Sequence, residues 1–259
     1  MPLHPIQTIV AAFPFVLLPS LVHAQPAWPD CPNNYPGGMP PRVIDSHSSG
    51  DVTDLCYDGF AVTFSRSKSG PLSSSHFLSR ERIGTAQRIA QTTVMRAEPR
   101  VPANQRVEMS DYAQSGYAVG QLSPTVDMPD AASKSESQTL ANAVPLTPVL
   151  SRGLWSAIEA ITHTLAAQDD VIYVVSGPVF QGGTAQPSVG RLLIPAGVYK
   201  AIYNPEQGWA GAYVCENTSN PTCQIVTIAE LQAMTGIDVF PALAEGIKNT
   251  AAPLPSPPG

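Results

Sequence analysis

Apolar residues recur at helical spacing in one long stretch. Across residues 151–167, Leu154, Ile158, Ile161 and Leu165 fall on a single face, which predicts a helix with Ser151 as its N-cap. A shorter helix is predicted over 80–89 behind the cap Ser79, weakened by Gly84, and another over 228–234 that stops near Gly236. Residues 54–65 alternate, with aromatic and β-branched side chains, and read as a strand. Residues 171–176 are continuously apolar up to Gly177-Pro178 and fit a buried strand. Further strands are predicted over 191–195, 198–203 and 211–215, with a short one over 139–144 ahead of Pro145. Polar stretches punctuate these elements. Residues 25–50 are rich in Pro, Gly, Asn and Ser and predict an irregular lead-in, residues 92–109 are extended and broken by prolines, and residues 129–139 predict a surface segment. Strands and helices intermix without βαβ alternation. The expectation is one α+β domain over 51–248, a largely antiparallel sheet flanked by helices, with a disordered Pro-rich tail over 249–259.

The beginning of the chain changes the compartment. Residues 1–24 hold no Lys, Arg, Asp or Glu and carry an apolar run over 9–22 that ends in Val22-His23-Ala24, which reads as a signal peptide cleaved near Ala24. As a membrane anchor the run falls short of about 20 residues, and Pro14 and Pro19 interrupt it. The expected mature protein is periplasmic or secreted, with no membrane span. In an oxidising compartment an even number of cysteines favours disulfides, here Cys31 with Cys56 and Cys215 with Cys223 across a turn-rich insert. The spacings do not suit zinc. A net charge of −6, with only 14 Lys and Arg and no basic run, argues against tight binding of a polyanion.

One constellation stands out. Asp111-Tyr112, Ser115-Gly116-Tyr117, Gly120, Leu122, Pro124 and Asp127-Met128 are followed by Asn142, Val144-Pro145, Leu150, Arg152-Gly153, Trp155 and Ile158-Glu159. With residues 55–62, Gly177-Pro178, Pro195, Tyr199-Lys200 and residues 235–241, this set resembles the DNA/RNA non-specific endonuclease family over most of residues 31–245. The resemblance implies a ββα-metal (His-Me finger) nuclease fold. It also implies hydrolysis of DNA and RNA phosphodiesters by a water activated by a histidine and assisted by Mg²⁺. The family's Asp-Arg-Gly-His signature falls on Ala118, Val119, Gly120 and Gln121. The asparagine that holds Mg²⁺ in the family falls on Ser151, and the helix glutamate that holds metal-bound water is kept as Glu159.

The departures fall on the groups that handle protons and metal. Gln121 can orient a water but cannot take its proton near neutral pH, and losing a positioned base costs about 10²–10⁴-fold in rate. A serine hydroxyl at 151 reaches less far than an asparagine carbonyl, which lowers the expected affinity for Mg²⁺. Arg152 and Asn142 are the candidate nucleic-acid contacts; a surface ion pair and a local turn are their structural alternatives. Trp155 and Tyr117 read as core aromatics. Replacement bases are confined to His47, His76 and His163. His163 reads as a surface histidine, set against a rewired site in which it shares a helix face with Glu159. The leading expectation is an exported pseudonuclease that retains weak DNA or RNA binding or an unknown protein partner. The rivals are an active Mg-dependent endonuclease working through Gln121 and Glu159, and an envelope interaction module without nucleic-acid contact.

Overall fold

The computed structural model describes residue 1 and residues 31–44, 51–90, 94–169, 171–180 and 187–257. The expected signal peptide and His47 lie outside the described residues. A seven-stranded antiparallel sheet forms the frame. Its order is Cys223–Val226, Trp209–Glu216, Gly197–Asn204, Ile172–Val179, Gly70–Leu78, Ala61–Ser65 and Val52–Cys56. The period of two sorts its side chains into two layers. Leu78, Ile172, Val174, Val198 and Ile202 pack with Ile158, Leu165 and Trp155 of the helical segment Pro148–Gln168. Val175, Tyr199, Ala201, Ala210 and Ala212 pack on the other side with Ile228, Leu231, Val239 and Phe240 of the C-terminal region. On the face toward the long helix, one register row is polar. Ser74 pairs with Ser176, and Ser176 with Lys200, across three adjacent strands.

Several elements differ from the sequence expectation, each for an identifiable reason. Residues 54–65 are a hairpin rather than one strand, because Asp58-Gly59 turns the chain between Val52–Cys56 and Ala61–Ser65. The serine-rich strand Gly70–Leu78 was not expected. Its Ser74 hydroxyl is satisfied by tertiary partners, Ser123 and Asn142, that composition does not reveal. The polar segment 129–139 contains the helix Ala131–Ser137, capped by Asp130 and burying Lys134. The strand expected over 139–144 is shifted: Leu140–Asn142 form a 3-10 turn, and the strand is Ala143–Leu146. Pro145 is tolerated because this ladder has only two strands. Ser151 is not the N-cap. Thr147 caps a helix that begins at Pro148 and passes through a π-helical segment, Ser151–Trp155, into Ser156–Gln168.

Part of the tail expected to be disordered packs against the domain. Leu254 is buried in the core layer that holds Val198 and Tyr213, and Tyr213 Oη donates to the Pro255 carbonyl at 2.7 Å. Both expected disulfides are present, Cys31–Cys56 and Cys215–Cys223. Among the described residues no helix is long and apolar enough to cross a membrane.

Candidate active site

The site region is built from a small hairpin and the helix that follows it. A turn with left-handed Gln114 (φ 61°) and Gly116 (φ 82°) delivers the strand Ala118–Gln121. That strand pairs antiparallel with Ala143–Leu146. Gly120 is required by packing, since a Cβ there would run into the Leu146 side chain. The 147–150 turn then launches the helix, and its π-helical segment carries Ser151 and Arg152. Inside that segment Gly153 takes a backbone conformation outside the helical region, at φ −101° and ψ −107°. Wide turns of this kind re-aim the side chains around them.

Each candidate residue has a definite place. Gln121 is half-buried and its amide is turned inward: Nε2 donates to the Ser137 carbonyl at 2.9 Å and to Thr125 Oγ1 at 3.2 Å. Its carbonyl lies 3.3 Å from the same Thr125 hydroxyl. Ser151 is half-buried, and among the described residues its hydroxyl makes no hydrogen bond. Arg152 is exposed, with Nε 3.4 Å from the Pro148 carbonyl, so its guanidinium is available at the surface. Asn142 is not. It is fully buried, its amide donates to the Ser123 and Ser137 carbonyls, and its Oδ1 accepts from Ser123 N at 3.0 Å and Ser74 Oγ at 2.8 Å. As a nucleic-acid contact it is therefore ruled out; it pins the turn between the two strands. Trp155 packs inside the main core and Tyr117 packs half-buried against the small cluster of Tyr112 and Leu140, and Lys200 Nζ sits 4.8 Å from the Trp155 ring centroid.

Glu159 lies one turn before His163 on the long helix. It is half-buried and makes no hydrogen bond or salt bridge among the described residues. Burial pushes its carboxyl up to about 7, against the pull of Lys200. Lys200 is itself buried beneath, donating to Ser176 Oγ at 3.0 Å, and its ammonium is pushed below the usual lysine range by desolvation.

The centre of the polar network is Asp127, which the sequence presents only as part of a motif. Its carboxylate is buried and accepts from two imidazoles: His76 Nε2 at 3.0 Å through Oδ2, and His163 Nε2 at 2.5 Å through Oδ1. Burial alone would raise its pKa, but the bonds from His163 and His76 win and hold the group well below the carboxylate range. His76 is fully buried on the sheet, and desolvation keeps its imidazole below its ordinary value. In the neutral tautomer with Nε2–H toward Asp127, its Nδ1 accepts from Ser123 Oγ at 2.9 Å. Ser123 in turn meets Ser74 Oγ at 2.8 Å. Arg82 and Lys134, both buried, grip the same turn by donating to the Asp127 carbonyl at 3.0 Å and the Thr125 carbonyl at 3.1 Å.

His163 is thus not the bland surface histidine expected from sequence. Its side chain keeps 29% of its surface exposed. The Asp127 bond, ahead of desolvation, raises its pKa above the usual histidine value. Spacing could not have revealed this, because Asp127 and His76 approach His163 from other elements. The available signal was an aspartate among the small and apolar residues of 122–128, a setting in which a carboxylate needs donors.

Comparison with known proteins agrees with this geometry. The family model for DNA/RNA non-specific endonuclease matches residues 42–246. Among curated proteins, the mitochondrial nuclease EXOG of Xenopus laevis is 25% identical over 210 residues, covering 72% of this chain and 58% of that protein. Human mitochondrial EXOG is 25% identical over 212 residues, covering 73% and 57%. The chain thus spans less than two thirds of the length of these relatives. Among solved structures, a chain from the crystal structure of the EndoG/EndoGI complex, which concerns EndoG inhibition, superposes with a TM-score of 0.61 at 18% identity, covering 71% of this chain and 84% of that one. A match across residues 42–246, on a hairpin-and-helix core of the ββα-metal nuclease fold, makes this chain a member of the DNA/RNA non-specific endonuclease family.

Proposed function

We propose that this protein keeps the family fold with metal-dependent phosphodiester cleavage impaired, and that it serves as an exported pseudonuclease binding nucleic acid weakly or a protein partner. The observation that carries this reading is the side chain of Gln121. At the position where the family places its general base, an amide without a proton-accepting nitrogen is bonded inward to Ser137 and Thr125. The donor set supports the same reading. Mg²⁺ prefers well-placed oxygen donors in near-octahedral array. Here Ser151 offers one short hydroxyl, both Asp127 oxygens are occupied by imidazoles, and the charges of Lys200 and His163 bear on Glu159. These residues do not fit the ion that the family implies. The acidic net charge of −6 supports weak rather than tight nucleic-acid contact. Capture of EndoG with EndoGI supports the ability of this fold to present a surface to a protein. The two disulfides support export.

The test is incubation of the mature protein with plasmid and Mg²⁺ or Mn²⁺. The plasmid stays intact; metal-dependent nicking that Glu159→Ala abolishes overturns the reading. Conversely, Ala118→Asp, Val119→Arg, Gln121→His and Ser151→Asn introduced together generate cleavage if the scaffold is otherwise competent. A mobility shift of DNA at low salt separates a nucleic-acid binder from an interaction module, which shows none. A second reading, slow hydrolysis by a rewired centre, is favoured by one observation: the hold of Asp127 on His163.

A further inference from the structure

Acting through the Asp127–His163 pair, the protein supports a slow hydrolysis of phosphodiesters that needs no divalent metal, with His163 as general base: this we propose as the chemistry left where the inherited machinery has gone. The inference rests on the impaired-nuclease reading and deepens it. Four observations carry it. His163 Nε2 is fixed at 2.5 Å from a buried carboxylate that can only accept, so Nε2 carries the proton and the lone pair of the neutral ring lies on Nδ1. Nδ1 makes no hydrogen bond among the described residues, and with 29% of the side chain exposed the ring is partly open to solvent. Asp127 is itself immobilised, by His76 on its second oxygen and by Arg82 and Lys134 on the carbonyls of its turn. Glu159, free of hydrogen bonds and ion pairs, stands one turn away on the same helix face.

The arrangement is that of a base held in one tautomer by an orienting carboxylate, as acid–base hydrolysis requires. It differs from the inherited scheme in residue and in element, since the lost base belonged to the strand Ala118–Gln121 and His163 belongs to the helix. In the step, the attacking water gives one proton to Nδ1 while its oxygen bonds to phosphorus. The bond from phosphorus to the leaving oxygen breaks on the far side, that oxygen takes its proton from solvent water, and the imidazolium returns its proton to solvent. The products are a phosphomonoester and an alcohol, and the base is regenerated. The buried chain from His76 through Ser123 to Ser74 has a Ser–His–Asp connectivity, but all three hydroxyl and imidazole groups are sealed from solvent. Its part is to position Asp127.

The experiment uses the full mature chain with bis(p-nitrophenyl) phosphate in EDTA. Slow release of nitrophenolate above background is expected, lowered about 10²-fold or more in His163→Ala, and restored in His163→Ala by added imidazole in a saturable manner. Imidazole rescue is a readout that a merely structural histidine would not give. Asp127→Asn serves as the positioning control. The groups facing His163 are Asp127 from the 125–128 turn, Glu159 on its own helix and Lys200 from the sheet. Removing the carboxylate lowers the pKa of the base, so the rising limb of the pH–rate profile moves to lower pH. Reaction with diethyl pyrocarbonate reads the geometry independently: His163 is acylated in the wild type, and His76 is not. Absence of EDTA-resistant hydrolysis, or an equal rate in His163→Ala with unchanged circular dichroism, overturns the proposal and leaves the impaired-nuclease reading standing. Hydrolysis that appears only with Mg²⁺ or Mn²⁺ and disappears in Glu159→Ala overturns both.

Discussion

Replacing Asp127 tests the network where its energetics are most exposed. In Asp127→Ala both imidazoles lose their acceptor. His163 can turn to water, but His76 is fully buried, and an unsatisfied interior N–H costs about 1–3 kcal/mol. Removing one partner of a buried charged pair typically costs about 3–5 kcal/mol, and that is the expected total here. Asp127→Asn is different, because the hydroxyl chain behind His76 can reverse. An asparagine amide facing His76 needs an unprotonated Nε2; the ring then carries its proton on Nδ1, donates to Ser123, Ser123 donates to Ser74, and Ser74 donates to Asn142 Oδ1 at 2.8 Å. Every group stays paired, and the cost falls to about 1–2 kcal/mol, the loss of charge assistance. Urea denaturation at neutral pH measures both, with the slope of the transition unchanged. In the Asn background Ser123→Ala costs more than in the wild type, by at least about 0.5 kcal/mol, since the reversed chain needs that hydroxyl. The sign with pH follows from a depressed carboxylate. Its stabilisation is complete above the ordinary aspartate value of 3.8 and is lost as pH falls below it, so the gap between wild type and Asp127→Asn closes in acid. An Asn variant as unstable as the Ala variant, or an Ala variant that loses less than about 1 kcal/mol, refutes the reasoning.

Two further outcomes follow from packing. Leu254→Ala, or truncation after Thr250, lowers stability by about 2–4 kcal/mol, read as a shift of the urea midpoint, because the leucine is 8% exposed within the main core layer. Gly120→Ala destabilises by about 1–3 kcal/mol in the same assay, and combined with Leu146→Ala the two losses sum to less than the single variants predict, because the shortened side chain makes room for the new Cβ.

The antiparallel strands and the C-terminal helix were legible because their patterns are local. Residues 171–176 announce a buried strand by their unbroken apolar run, and Gly236 ends its helix by accepting a left-handed φ of 68°. What escaped reading depends on partners distant in sequence. The strand Gly70–Leu78 looks like a polar loop until Asn142 and Ser123 are brought against Ser74. Lys134 looks solvated until the Thr125 carbonyl receives it. The site shows the same division. The losses at Gln121 and Ser151 could be read from type and position, whereas the Asp127–His163 pair joins residues 36 apart on a turn and a helix. A motif comparison sees inherited roles; a substitute recruited from another element has no motif to announce it.

The two disulfides occupy opposite borders of the seven-stranded sheet. Cys56 closes the outermost strand Val52–Cys56 against the lead-in at Cys31, and Cys223 opens the other outermost strand, Cys223–Val226, against Cys215 of its neighbour. A sheet border is where backbone groups lie open to pairing with another molecule. Reduction therefore unfastens this protein at its margins while the central strands that carry His76, Ser176 and Lys200 remain laced together. A thiol-rich environment thus loosens the two flanks of the sheet before it disturbs the imidazole network.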